Sequence, residues 1–111
     1  MVEFHDLPMA KSCRLINFDK VQVAPGLVEG TWILVVSGTK PYINMKVELM
    51  PLVYVRQPEY WGIEVVGCLA GVGLPAIGPY SVSLPLDGIT GTKGIEVIGA
   101  THAEKRDIPP K

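Results

Sequence analysis

Charged residues are scarce in this chain of 111 residues, and histidine and cysteine occur only twice each. Ten basic and eleven acidic residues give a formal net charge of −1, and no cluster of Lys or Arg provides the positive surface that duplex binding requires. We therefore expect no nucleic-acid partner. No apolar run approaches the roughly 20 residues of a membrane-spanning helix, and residues 1–10 lack the pattern of a secretory signal. These absences lead us to expect a soluble, cytoplasmic protein without a membrane partner.

Segments with helical periodicity are also missing. Twelve glycines and ten prolines are distributed along the chain without a period, which is typical of many tight turns between short strands. Parallel β-α-β architecture is excluded because no crossover helix is predicted. The pattern predicts an all-β fold, namely an antiparallel β-sandwich of six or seven strands, with a small closed or partly open β-barrel as the alternative.

The strand pattern predicts a single β domain over residues 12–101. Residues 1–11 are predicted to form an irregular N-terminal arm, since Pro8 discourages regular structure. Residues 102–111 are predicted to be a polar C-terminal tail. Between residues 13 and 23 the apolar alternation changes phase twice, which predicts a bulged or bent strand.

Three segments have the clearest strand signals. Residues 32–36 form a continuous apolar run, which we expect to be a central strand covered on both faces. Residues 43–49 alternate between apolar and polar side chains, and Pro51 is expected to end or bend that strand. Pro85 places the strand of residues 80–86 at the edge of a sheet.

The two cysteines, Cys13 and Cys68, both lie in segments with strand character. A free cysteine in such a position usually behaves as a small buried apolar group, and this is what we expect here. A disulfide between them would require an oxidising compartment.

Residues 71–76 match the G-x-G-x-x-A form of the dinucleotide-binding fingerprint. That motif binds pyrophosphate only where a helix opens at the glycines. Pro75, Gly78 and Pro79 prevent such a helix. We therefore predict a loop at this position and no cofactor.

Catalytic and metal-binding signals are weak. His5 and His102 are the candidate metal ligands, but both lie in terminal segments and no ligand spacing supports a site. A serine or cysteine nucleophile would have to recruit its base from one of these two histidines. No motif in the sequence indicates an enzyme, and no catalytic residue is predicted.

An aromatic group provides the best candidate contact surface. Tyr and Trp, together with Arg, dominate the energetics of binding interfaces, and four such residues lie close together in the sequence: Tyr54, Arg56, Tyr60 and Trp61. The competing interpretation is that Tyr54 and Trp61 are core residues.

The sequence therefore predicts a non-catalytic binding or protein-interaction module. Its partner would be another protein or a second copy of the chain, bound through loops or a sheet edge. The alternative is a small-ligand binder or small enzyme with a pocket inside a barrel, lined by Trp32, Met45, Tyr54 and Trp61.

Overall fold

A computed structural model describes residues 11–109 of the chain, and within that range it contains eight β-strands and no α-helix. No helix suited to crossing a membrane is therefore found in this part of the chain. The strands are β1 (Lys11–Leu15), β2 (Lys20–Pro25), β3 (Trp32–Lys40), β4 (Lys46–Pro51), β5 (Tyr60–Ala70), β6 (Gly78–Pro85), β7 (Gly94–Ile98) and β8 (Ala103–Asp107).

The strands form two sheets. Five-stranded sheet A is organised around β5, which pairs with β4 along one edge. The other edge of β5 is shared, because parallel β7 pairs with its first half and antiparallel β1 with its second half. Strand β8 pairs with β7. Sheet B has the order β2-β3-β6 and is antiparallel throughout.

One hydrophobic core lies between the two sheets. Alternate residues of the central strands point inward, as the period of two in a β-strand requires. The largest completely buried side chains come from both sheets: Leu34 and Val36 on β3, Ile63 and Val65 on β5, and Ile95 and Val97 on β7. The fold is thus all-β and sandwich-like, and it is not a closed barrel.

The parallel pairing of β5 and β7 differs from the expected antiparallel arrangement. Parallel neighbours need a crossover connection, which is usually a helix. Here the chain leaves β5, forms β6 in sheet B and returns to sheet A as β7. A strand of the opposite sheet therefore serves as the crossover.

The two phase changes between residues 13 and 23 mark a change of sheet and not a bulged strand. Strand β1 belongs to sheet A, and β2 belongs to sheet B. In the connection, the Ile16 N–H donates to the Val65 carbonyl of sheet A at 3.0 Å, and the Asp19 N–H donates to the Ser37 carbonyl of sheet B at 2.9 Å. Ile16 and Phe18 are buried, so the connection itself contributes to the core.

Strand β3 is central to sheet B, but the prediction that both of its faces are covered is wrong. Leu34 and Val36 are buried, whereas Ile33 and Val35 are only half-buried on the outer face. Strand β4 ends at Pro51 and β6 lies at the edge of sheet B, both as predicted.

Eight strands replace the predicted six or seven, because residues 13–23 contribute to two strands and because β8 comes from the segment predicted to be a polar tail. Its Asp107 pairs with Gly94 of β7, and Ile108 directly after it is buried. A Cβ atom at Gly94 would overlap the Arg106 carbonyl oxygen, so glycine permits the close approach of the two strands. Of the predicted N-terminal arm, residues 1–10 lie outside the described residues.

Cys13 and Cys68 form a disulfide, so the prediction of two buried free thiols is wrong. The two residues lie directly opposite each other on β1 and β5, with their Cα atoms 4.1 Å apart. Cys68 alternates with buried Gly67 and Leu69, which places it on the outer face of sheet A. Within residues 11–109, sheet B packs on the opposite face of sheet A, and Cys13 is exposed.

Candidate binding surface

The predicted aromatic residues lie at or near the start of β5, where the side chains of Tyr54 and Trp61 contact each other. The rings of Tyr54 and Trp61 pack edge to face with centroids 5.2 Å apart. The indole N–H of Trp61 donates to the Leu52 carbonyl at 2.9 Å, and the Tyr54 hydroxyl accepts from the Gly62 N–H at 3.0 Å. Both half-buried rings thus anchor the connection between β4 and β5.

Tyr60 and Arg56 are placed apart from that pair. The Tyr60 hydroxyl donates to a carboxylate oxygen of Asp107 on β8 at 2.6 Å, and the Lys105 ammonium lies 4.9 Å from the ring centroid. The hydrogen bond to the Asp107 carboxylate raises the pKa of Tyr60 above its ordinary value. Arg56 is exposed in the connection that precedes β5.

The opposite end of the molecule carries a group of exposed aliphatic side chains. Lys40 at the end of β3 pairs with Gly78 at the start of β6, so the connections at residues 41–45 and 71–77 lie at the same end. Four large apolar side chains there face solvent with exposed fractions of 45% (Ile43), 87% (Val72), 54% (Leu74) and 76% (Ile77). We refer to these four residues as the apolar loop end.

Hydrogen bonds join the two loops that carry these side chains. The Asn44 amide nitrogen donates to the Val72 carbonyl at 3.1 Å, and the Asn44 amide oxygen accepts from the Leu74 N–H at 2.9 Å. A backbone bond of 3.3 Å runs from the Ile43 N–H to the Leu74 carbonyl. The two loops are therefore braced against each other.

The ring of Tyr42 packs against the backbone of the second of these loops. A Cβ atom at Gly73 would overlap the Tyr42 ring, so this glycine permits the backbone to lie directly against the aromatic ring. The Arg14 guanidinium lies 5.9 Å from the centroid of the same ring. The G-x-G-x-x-A segment forms a loop, as predicted, and its second glycine is required for packing against Tyr42.

An open groove of about 480 Å³ runs beside the apolar loop end. Its lining includes Arg14, Asn17, Lys40 and Ile77. The Lys40 ammonium donates one hydrogen bond to the Met45 carbonyl at 2.9 Å. The groove therefore combines two cationic side chains with an apolar residue of the loop end.

Three of the segments at this end of the molecule contain no acidic residue before Glu48. Residues 12–17 and 38–47 contain Arg14, Lys40 and Lys46 but no Asp or Glu, and residues 65–86 contain no charged residue. Lys46 forms an exposed ion pair of 3.3 Å with Glu48, a contact that contributes little in water. Arg14, Lys40 and Lys46 thus lie in the segments around the apolar loop end, and Asp19 follows the groove residue Asn17 by two positions.

The four residues considered for an interior pocket lie at different places in the described part of the chain. Trp32 lines a shallow pocket with Leu86 and Ile108, whereas Met45 is buried in the core at the other end of the sheets. Tyr54 and Trp61 line neither that shallow pocket nor the large groove.

Of the two weak candidates for metal ligands, His5 and His102, His102 belongs to the described residues. The His102 ring packs on Phe18 with centroids 4.3 Å apart, and its Nε2 lies 3.9 Å from a Glu104 carboxylate oxygen. His5 lies outside the described residues. Within residues 11–109, no three His, Cys, Asp or Glu side chains are grouped so that they could hold a metal ion.

Comparisons with known protein-family models, with curated proteins and with solved structures find no match for this chain. Its function must therefore be argued from its own surface. Sequence reasoning missed the apolar loop end, although a signal was present. In residues 65–86, which carry no charge, Val72, Leu74 and Ile77 are separated by Gly, Pro and Ala in a segment too rich in turn residues to be a buried strand.

Proposed function

We propose that this chain is a non-catalytic binding module of the β-sandwich type, whose contact surface is the apolar loop end. The observation that carries the proposal is the exposure of four aliphatic side chains on two mutually braced loops. A contiguous apolar patch on a soluble domain usually marks an interaction site, since exposed hydrocarbon otherwise favours aggregation.

The bracing of the loops supports this assignment. Binding through a disordered loop loses conformational entropy when the loop becomes ordered, and this loss reduces affinity. The Asn44 hydrogen bonds and the contact between Gly73 and Tyr42 already order the loops in the unbound protein. The apolar loop end is therefore preorganised for binding.

The aromatic group at the opposite end is the second candidate surface. It is favoured by exposed Arg56 and by the fully exposed Val53 and Val55 on the same connection. Against it, the Tyr54 hydroxyl and the Trp61 indole N–H already form hydrogen bonds within the chain, and the two rings pack against each other. We therefore rank it below the apolar loop end.

The disulfide between Cys13 and Cys68 supports action in an oxidising compartment. Disulfides persist in such compartments and are rare in the reducing cytosol. We accordingly propose a location outside the reducing cytosol in place of the cytoplasmic location expected from the sequence.

Site-specific photo-crosslinking tests the proposed function. A photo-reactive amino acid replaces Val72, Arg56 or Ser83, one position at a time, in protein expressed in the organism that encodes it. After irradiation, mass spectrometry identifies the crosslinked molecules as proteins or lipids. Position 72 samples the apolar loop end, position 56 samples the aromatic group, and exposed Ser83 on β6 is the control. We expect adducts at position 72 above the level at 83. Adducts at 56 alone, or equal labelling at all three positions, would contradict the proposal.

A further inference from the structure

We propose that the apolar loop end docks on the surface of an anionic lipid bilayer, with its aliphatic side chains entering the headgroup region and the neighbouring cations contacting lipid phosphates. This inference rests on the proposed function and names its partner. It concerns docking from one side of a bilayer and involves no membrane-spanning segment. The sequence-based expectation of no membrane partner rested on the absence of a spanning segment and of a secretory signal pattern, and neither of these concerns a docking surface.

The chemistry of the exposed side chains favours lipid over protein. Protein interfaces are enriched in Tyr, Trp and Arg at their centre, whereas all four residues of the apolar loop end are aliphatic. The most exposed of them, Val72 and Ile77, project from loops at the tip of the molecule. A fluid lipid surface can accept such projecting hydrocarbon without a complementary pocket.

The charge around the loop end selects an anionic surface. Arg14 and Lys40 line the groove beside Ile77, and Lys46 begins the adjacent strand β4. The attraction of one cation to an anionic membrane corresponds to about a fivefold gain in affinity. Lys46 already forms an ion pair with Glu48, so Arg14 and Lys40 are the cations that we assign to lipid phosphates. A second copy of the chain is disfavoured here, because two equally positive surfaces would face each other.

The geometry of the groove allows apolar and ionic contacts to be made together. Ile77 belongs both to the apolar loop end and to the groove wall that carries Arg14 and Lys40. The Lys40 ammonium uses one of its three N–H groups on the Met45 carbonyl, so two remain for a phosphate oxygen. Insertion of Ile77 would therefore place headgroup phosphates within reach of both cations.

Co-sedimentation with lipid vesicles tests this inference. The 111-residue chain is mixed with vesicles of phosphatidylcholine alone or of phosphatidylcholine with one third phosphatidylglycerol. We expect binding to the anionic vesicles and little binding to phosphatidylcholine. The double variant Val72→Ser/Ile77→Ser should reduce the partition coefficient at least about tenfold, since two hydrophobic side chains no longer enter the bilayer. Arg14→Gln should reduce it about fivefold.

The matched control is the double variant Val53→Ser/Val55→Ser, which changes two fully exposed valines at the opposite end. It should bind like the parent chain. Thermal unfolding of every variant verifies that the fold is intact. The lipid assignment is overturned if the parent chain binds neither vesicle, if it binds both equally, or if the control loses as much affinity as the loop-end variant.

The vesicle and crosslinking results separate the two proposals. Crosslinking at position 72 to proteins only, together with no vesicle binding, would overturn the lipid assignment and leave the binding module intact. Labelling at position 56 alone would contradict both.

Discussion

The side-chain amide of Asn44 accepts a 2.9 Å hydrogen bond from the backbone N–H of Leu74, thirty residues further along the chain. The same amide donates to the carbonyl of Val72, so one side chain satisfies a donor and an acceptor of the neighbouring loop. An amide that bonds both groups fixes the spacing of the two loops. The exposed aliphatic residues are thereby presented as one surface.

Asn44→Ala should weaken vesicle binding without unfolding the protein. The lost hydrogen bonds are exposed, so we expect a loss of about 1 kcal/mol or less in the free energy of unfolding. The loops must then be ordered on binding, which should lower the partition coefficient about three- to tenfold. The control is Gln57→Ala, which removes another exposed side-chain bond between loops, 2.8 Å to the Thr90 carbonyl, at the other end. Equal binding by the parent, Asn44→Ala and Gln57→Ala proteins would show that the bracing is irrelevant to binding.

The disulfide should contribute substantially to stability. Cys13 and Cys68 are separated by 55 residues, and the chain-entropy model gives a stabilisation of up to about 4 kcal/mol for a closed loop of that length. We expect Cys13→Ser/Cys68→Ser to lose about 2–4 kcal/mol in denaturant unfolding, and reduced parent protein to lose the same. A thiol assay on unfolded, unreduced protein should detect no free thiol. Two reactive thiols in that assay would refute the pairing.

Much of the fold could be predicted because strand periodicity is a local property. The period of two predicted the alternation in β4 and β6, and Pro51 and Pro85 correctly marked a strand end and an edge strand. The sheet assignment was not accessible in the same way. The phase changes around Ile16 and Phe18 are compatible with a bulge and with a sheet change, and only long-range contacts distinguish the two.

The errors have specific physical causes. Strand β8 was missed because Glu104, Lys105, Arg106 and Asp107 read as a solvated tail, whereas pairing with β7 satisfies their backbone groups. The disulfide was not predicted because a cysteine in a strand is most often a buried free thiol. Cys13 lies opposite Cys68 only because of the register between β1 and β5, and a register between distant strands is not visible in local sequence patterns. The apolar loop end was not predicted because Tyr, Trp and Arg are the residue types enriched at interfaces, whereas Tyr54 and Trp61 anchor a loop in this fold.

Tyr80 should make stability depend on pH in the alkaline range. Its hydroxyl donates to the Asn17 carbonyl at 2.6 Å. Burial, with a smaller contribution from the negative charge of Asp19, raises the pKa of Tyr80 from 10.0 to about 12. The folded state therefore holds this proton more tightly than the unfolded state, and the resulting stabilisation is present below pH 10 and lost as the pH rises towards 12.

The parent protein should accordingly lose stability more steeply than Tyr80→Phe between pH 10 and pH 12. At neutral pH the variant should be less stable by about 1 kcal/mol because the hydrogen bond is missing. Urea unfolding across the alkaline range measures both effects. Parallel stability curves for the two proteins would show that Tyr80 titrates normally.

Gly94→Ala tests whether the C-terminal segment is an integral strand. The added Cβ would overlap the backbone carbonyl of Arg106, which cannot move away as a flexible side chain can. We expect a loss of about 2 kcal/mol or more in the free energy of unfolding. Gly78→Ala is the control, because its Cβ would meet the movable end of the Ile43 side chain and should cost less. Equal stability of the Gly94→Ala and parent proteins would contradict the pairing of β7 with β8.

Hydrogen–deuterium exchange in the presence and absence of vesicles containing phosphatidylglycerol tests the central claim most directly, since it reports which end of the molecule contacts lipid. The account predicts slower exchange in residues 41–45 and 71–77 when vesicles are present, and unchanged exchange in residues 52–61. Protection confined to residues 52–61, or no protection in either segment, would contradict it.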